Sequence, residues 1–113
     1  MKLYKQYLKE REDIDLIYTD ECFITYKVYE DNTAAIIDIY SSPEVRGKQV
    51  MKGLVEKLIA ELAVKGIQTV FGFTDERTNG WKRSEELMYK FGFRYCGKDP
   101  DDKHRNNYYI DLK

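Results

Sequence analysis

Arg46, Lys48 and Lys52 crowd the short stretch Ser42 to Leu54, which follows an apolar run and opens an amphipathic one. A helix start carries four unpaired amide donors and about half a positive charge, so it holds phosphate well. Cations are unfavourable at such a position by up to about 1 kcal/mol, so three together suggest an anion partner. The bland alternative is a solvated first turn. Asp38 stands in the middle of the apolar run leading to this stretch. Either it is a carboxylate with chemistry to do, or it is a buried structural carboxylate paired with a lysine or tyrosine. His104, between Lys103 and Arg105 in a polar segment, reads as exposed. One histidine and two distant cysteines cannot build a metal site.

Length and charge narrow the classes. A chain of 113 residues is one domain, residues 1–113, large enough to bury a core without staples. Its 19 basic and 20 acidic side chains leave a net charge of −1, no field for gathering nucleic acid or anionic lipid. The cluster Lys98, Lys103, His104 and Arg105 is offset by Asp99, Asp101 and Asp102, so a nucleic-acid partner is not expected. Cys22 and Cys96, with no paired spacing, read as free thiols in a reducing cytoplasm. The N-terminus has no apolar signal region, and no apolar run approaches about 18 residues. Neither export nor a membrane is expected.

The elements that must position these residues follow from hydrophobic period. Leu3, Tyr4, Tyr7 and Leu8 predict a short helix over about residues 2–10, which the charged run 9–13 interrupts. Ile14, Leu16 and Tyr18 alternate as a short strand would. Residues 22–29 and 34–41 predict a hairpin turned by Glu30-Asp31-Asn32-Thr33, the second strand apolar on both faces apart from Asp38. Val50, Met51, Leu54, Val55, Leu58, Ile59 and Leu62 form the stripe of a helix over 47–65, stopped by Gly66. A strand over 67–73, a polar loop from Thr74 to Gly80 and a helix over about 80–91 capped by Gly92 come next. Strands at 93–96 and 107–112 flank a very polar segment, Gly97 to Asn106. Strand–helix–strand around 34–73 requires parallel strands, and the rest of the sheet is antiparallel. The fold class is a mixed α/β sheet.

Two segments resemble the GNAT superfamily of N-acetyltransferases, and the likeness spans about residues 22–112. Ile39-Tyr40-Ser41-Ser42-Pro43-Glu44-Val45-Arg46-Gly47-Lys48 is similar to the family's strand end and cofactor loop. Ser84-Glu85-Glu86-Leu87-Met88-Tyr89-Lys90-Phe91-Gly92-Phe93 resembles its later helix, which ends in Gly-Phe beneath the acyl-CoA. The resemblance implies a GNAT-like acyl-CoA N-acyltransferase fold with a shortened N-terminus, where the family usually has two helices before the hairpin. It also implies acetyl-CoA as acyl donor, with its pyrophosphate at Tyr40, Ser41, Arg46, Gly47, Lys48, Gln49, Val50 and Met51. The family pattern is Arg or Gln, two residues, Gly, one residue, then Gly or Ala. Gln49 and Met51 stand at the two small positions, where their bulk narrows the approach of the backbone to phosphate. Trp81 replaces a frequent Asn, and Met88 replaces a frequent Tyr that protonates the leaving thiolate.

The implied reaction moves an acetyl group to a primary amine, on a protein or a small molecule, by direct attack. The amine's proton needs an acceptor, for which Asp38 is the nearest acidic candidate. Of the ten tyrosines, Tyr89 and then Tyr109 are the candidates to protonate the thiolate, although aromatic strand propensity alone accounts for Tyr26, Tyr40, Tyr95, Tyr108 and Tyr109. Tyr89 is about 100° around the helix from Met88. The alternative reading is a catalytically silent domain of the same fold that binds a protein partner through its tyrosine-rich sheet edge.

Overall fold

In a computed structural model describing residues 1–47 and 49–112, the chain runs α1 (Lys2–Glu12), β1 (Asp15–Tyr18), β2 (Cys22–Val28), β3 (Thr33–Ser41), a 3-10 turn (Pro43–Val45), α2 (Val50–Val64), β4 (Thr69–Asp75), α3 (Trp81–Lys90), β5 (Arg94–Asp99) and β6 (Asp102–Asp111). The sequence-derived site residue Lys48 lies outside the described residues. Six strands form one sheet in the order β1-β2-β3-β4-β6-β5. β3 and β4 are parallel neighbours, as the strand–helix–strand reading requires, and the other pairs are antiparallel.

α2 and α3 share a core with β2, β3, β4 and β6. Met51, Leu54, Val55, Leu58 and Leu62 of α2 meet Ile24, Tyr26, Ala34, Ile36, Val70 and Tyr108 from the sheet. Both helices end alike. After α2, Gly66 takes φ +85°, its amide donates to Ala63 O at 3.0 Å, and the Ile67 amide donates to Leu62 O at 3.0 Å. After α3, Gly92 takes φ +96°, and the amides of Gly92 and Phe93 donate to Tyr89 O and Met88 O, each at 3.0 Å. This two-bond closure needs a left-handed residue, which glycine supplies without a Cβ penalty.

Several boundaries differ from the sequence reading. α1 runs on to Glu12, because Lys9, Glu10 and Arg11 are good helix formers and Lys9 pairs with Asp13 one turn later at 3.0 Å. α2 begins at Val50 rather than 47, since Gly47 (φ 85°) and Gln49 (φ 63°) are left-handed and cannot be helical. The polar segment 97–106 is no loop: β5 and β6 continue through it to a tight turn at Asp99–Asp102. Its polar side chains bond laterally, Arg105 to Asp99 at 3.5 Å and Asn107 to Asp99 at 3.3 Å. His104 is accordingly half-buried on β6 rather than exposed in a loop.

Candidate active site

β3 and β4 pair at Thr33–Thr69, Ala34–Val70 and Ala35–Phe71, and then part. β3 runs on to Ser41 and β4 to Asp75 without facing each other in register. The cause lies on the far side of β3. Tyr26 pairs with Ile36 but Thr25 pairs with Asp38, so Ile37 is an extra residue that bulges β3. A bulge bends its strand and raises the local twist. The Asp38 amide, turned toward β2, donates to Thr25 Oγ1 at 3.0 Å. Successive strand amides point opposite ways, so that of Ile39 is turned into the gap.

The gap opens into a cleft of about 240 Å³. Ile37, Asp38 and Ile39 of β3 form one wall, and Phe73, Thr74 and Asp75 of β4 the other. α3 closes its floor with Trp81, Ser84, Leu87 and Met88. Gly72 lets this helix sit low: a Cβ there would meet Met88 Sδ at 3.3 Å and Phe93 at 3.7 Å. Met88 therefore occupies the cleft floor, where a thioether can pack but not donate a proton.

Below the gap, the loop leads into α2. The Ser42 amide is pinned to Glu21 O at 2.8 Å, and Val45 is buried. Arg46 folds back onto the end of β3, its Nε donating to Ser41 O at 3.2 Å and its guanidinium 5.6 Å from the Tyr40 ring centre. Gln49 at the N-cap makes no side-chain capping bond, and the Gly53 amide donates to Gln49 O at 3.3 Å. The first turn of a helix presents amide donors that no carbonyl within the helix takes up, and in α2 that turn starts at Val50. Met51 differs from expectation here. Its side chain is only 9% exposed and packs in the core, so its bulk does not narrow the phosphate approach. Gln49 does remain exposed at that mouth.

The remaining candidates separate. Asp38 is exposed, not buried, because β4 has left its side, and it lines the cleft. Tyr89 is 46% exposed, does not line the cleft, and lies edge-on to Tyr108 with ring centres 5.9 Å apart. Burial and then the Glu85 carboxylate push its pKa up. Tyr109 pairs with Phe71 and Arg94 across the sheet, one residue out of phase with the buried Tyr108, and so faces away from α3. The structure thus places Asp38 on the cleft lining and Arg46 against Ser41 at the end of the same strand, and leaves both tyrosines off that lining.

Sequence reasoning missed Ser84 and Thr74. Ser84 lies one turn before Met88, and that i, i+4 spacing to a floor residue was its available signal. Thr74, assigned to a loop, is the buried end of β4, its Oγ1 2.9 Å from the Tyr108 hydroxyl. At the same strand end, hydrogen bonds from the Arg77 side chain and backbone amide to Asp75 pull that carboxyl down to about 2.

A model of the acetyltransferase (GNAT) family matches residues 21–93, the segment holding the hairpin, the loop, α2, β4 and α3. The chain belongs to this family. Solved GNAT-fold structures agree with the architecture. A GNAT-family acetyltransferase from Staphylococcus aureus Mu50 superposes with a TM-score of 0.69 at 18% identity, over 81% of this chain and 60% of that one. PaiA N-acetyltransferase from Thermoplasma acidophilum, in complex with coenzyme A, gives 0.75 at 20% identity over 97% and 69%. An acetyltransferase from Bacillus subtilis, in complex with CoA, gives 0.72 at 18% identity over 96% and 84%. The chain spans less than two thirds of the first of these. No curated protein matches by sequence. No described helix of this GNAT protein is long and apolar enough to cross a membrane.

Proposed function

We propose that this chain transfers an acetyl group from acetyl-CoA to a primary amine. The observation that carries the reading is the parting of parallel strands directly beside an uncapped helix start. A linear thioester with an anionic tail needs both: backbone donors along an opened strand, and orphan amides for phosphate. The Ile39 amide faces the gap, and the amides of residues 49–52, with Arg46 and Gly47, surround the α2 start. Gly47 serves through its φ of 85°, since a Cβ there would meet nothing within 4 Å. Tyr40 and Ser41 hold Arg46 in place from the strand end. The CoA complexes of the Thermoplasma and Bacillus proteins support the same class of donor here.

Each residue then has a task. Asp38, exposed on the lip, is the carboxylate that a cationic amine meets at the cleft mouth. The apolar walls Ile37, Ile39 and Phe73 exclude water from the thioester, which would otherwise be hydrolysed. Met88 leaves the thiolate without a tyrosine donor at its position, and Ser84 is the cleft hydroxyl one turn away on the same helix face. A free buried thiol at Cys22 and a free exposed one at Cys96 fit work in a reducing cytoplasm. Thiol release from acetyl-CoA, followed with spermidine, poly-L-lysine and a peptide with a free N-terminus, tests the reading. Amine-dependent release supports it; acetyl-CoA binding with no transfer to any of the three leaves a silent domain.

A further inference from the structure

Beside the cleft lies a chain of buried and half-buried polar side chains to which the reading above gives no task. Tyr108, fully buried on β6, donates its hydroxyl proton to a carboxylate oxygen of Glu85 on α3. Its hydroxyl also lies 2.9 Å from Thr74 Oγ1, and Asn106 Nδ2 donates to that same oxygen at 3.4 Å. Asn106 Nδ2 donates further to Glu76 at 3.0 Å. Of these side chains, Thr74 lines the cleft.

The direction of the chain follows from counting protons. An ionised carboxylate only accepts, and a phenol has one proton. Tyr108 has given its proton to Glu85, so Thr74 must donate to Tyr108. A threonine oxygen has two lone pairs. Asn106 takes one, and the other is available to a donor in the cleft. The branch through Asn106 ends in amide N–H bonds, which do not pass a proton on. The hydroxyls therefore run one way, from cleft to Glu85. Burial, then the hydrogen bond to Glu85, pushes the Tyr108 pKa up, so the phenol stays protonated throughout. Glu85 is the carboxylate at the end of the chain.

We infer that Thr74, Tyr108 and Glu85 form a relay that carries the acceptor amine's proton out of the cleft. This rests on the acetyl-transfer reading. An ammonium N–H bond breaks, and its proton joins Thr74 Oγ1. The Thr74 proton moves to the Tyr108 hydroxyl oxygen, and the Tyr108 proton moves to Glu85, which becomes neutral. The electron pair left on nitrogen forms the bond to the acetyl carbon as the C–S bond breaks. The departing sulfur takes the second amine proton. Glu85, half-buried on α3, then releases its proton to water, and the two hydroxyls rotate back. Thr74 is the member that touches the substrate; Tyr108 and Glu85 act through it.

The test compares Glu85→Gln, Thr74→Val and Thr74→Ser with the unchanged protein, using the three amine probes above. Glu85→Gln keeps an acceptor oxygen for Tyr108 but cannot take up a proton. The relay predicts that Glu85→Gln and Thr74→Val lower kcat by about 10²-fold, the scale of one general-base contribution. Acetyl-CoA affinity by calorimetry stays unchanged, and Thr74→Ser recovers most of what Thr74→Val loses. In mixtures of light and heavy water, the rate of the unchanged protein follows a bowed curve, several protons moving together, and Thr74→Val straightens it. Should Thr74→Val fail to fold, Glu85→Gln decides alone. An active protein whose kcat survives Glu85→Gln overturns the relay and leaves acetyl transfer standing. Absence of transfer by the unchanged protein overturns both.

Discussion

Thr25 Oγ1 accepts the backbone amide of Asp38 at 3.0 Å, and this one bond sits where β3 bulges away from β4. Thr25 is buried at 4% exposure, so its hydroxyl is committed to that contact. Thr25→Val removes the acceptor while keeping the shape. We expect a loss of about 1 kcal/mol in urea unfolding, the net worth of one hydrogen bond. Weaker acetyl-CoA binding should accompany it, as the strand relaxes toward β4. Thr25→Ser should retain most of both. Unchanged affinity in Thr25→Val would mean that the bulge holds itself without this bond.

Gln49 and Met51, equivalent in the sequence pattern, should respond oppositely to glycine. Gln49 has φ 63° and is exposed. Gln49→Gly relieves a left-handed conformation that costs a side-chain-bearing residue about 1 kcal/mol, partly offset by greater freedom in the unfolded chain. The variant should be as stable as the parent or slightly more so, and bind acetyl-CoA more tightly. Met51→Gly removes a core side chain and should cost about 2 kcal/mol or more. Thermal melts with and without acetyl-CoA measure both.

That contrast marks the limit of what the sequence shows. Glycine stops at 66 and 92, the stripe of α2 and the parallel pair were all legible, because each depends on neighbours a turn or a strand apart. The direction of Met51 was not, because it depends on where α2 begins, and left-handed Gln49 moves that start to Val50. Asp38, in an apolar strand, read as either a reacting carboxylate or a buried structural one; the divergence of β4 exposes it. The ends of β5 and β6 were hidden by polarity, their pairing held by side-chain bonds such as Asn107 to Asp99 at 3.3 Å. Tyr108, Thr74 and Glu85 come from three elements, 34 and 23 residues apart in the two bonds that join them, beyond any local pattern.

Acid should loosen the β4 end in a defined window. Hydrogen bonds from Arg77 hold Asp75 at about 2 in the folded chain, below the ordinary aspartate value of about 3.9. Because the folded value is the lower one, this contribution is complete above about pH 4 and disappears as pH falls toward about 2. Asp75→Asn, which cannot ionise, should differ from the parent in urea midpoint at neutral pH. The difference should close across that window. A gap independent of pH would assign the effect to shape rather than charge.

Tyr89→Phe should lower turnover by less than about 10²-fold, the low end of general acid–base contributions. Its ring leans on Tyr108 from outside the cleft, and its hydroxyl is not needed for that contact. Steady-state rates with acetyl-CoA in excess give the comparison. Complete loss of activity in a folded variant would place Tyr89 at the thiolate after all.

In the proposed complex the thioester lies along the opened strands with its phosphates on α2. Amide chemical shifts followed by NMR during titration with acetyl-CoA report that placement residue by residue. The amides of residues 38–41, 46–52 and 72–75 should shift together with one affinity, while those of β1 and α1 stay in place. Shifts confined to other elements, or none at millimolar acetyl-CoA, would rule this placement out.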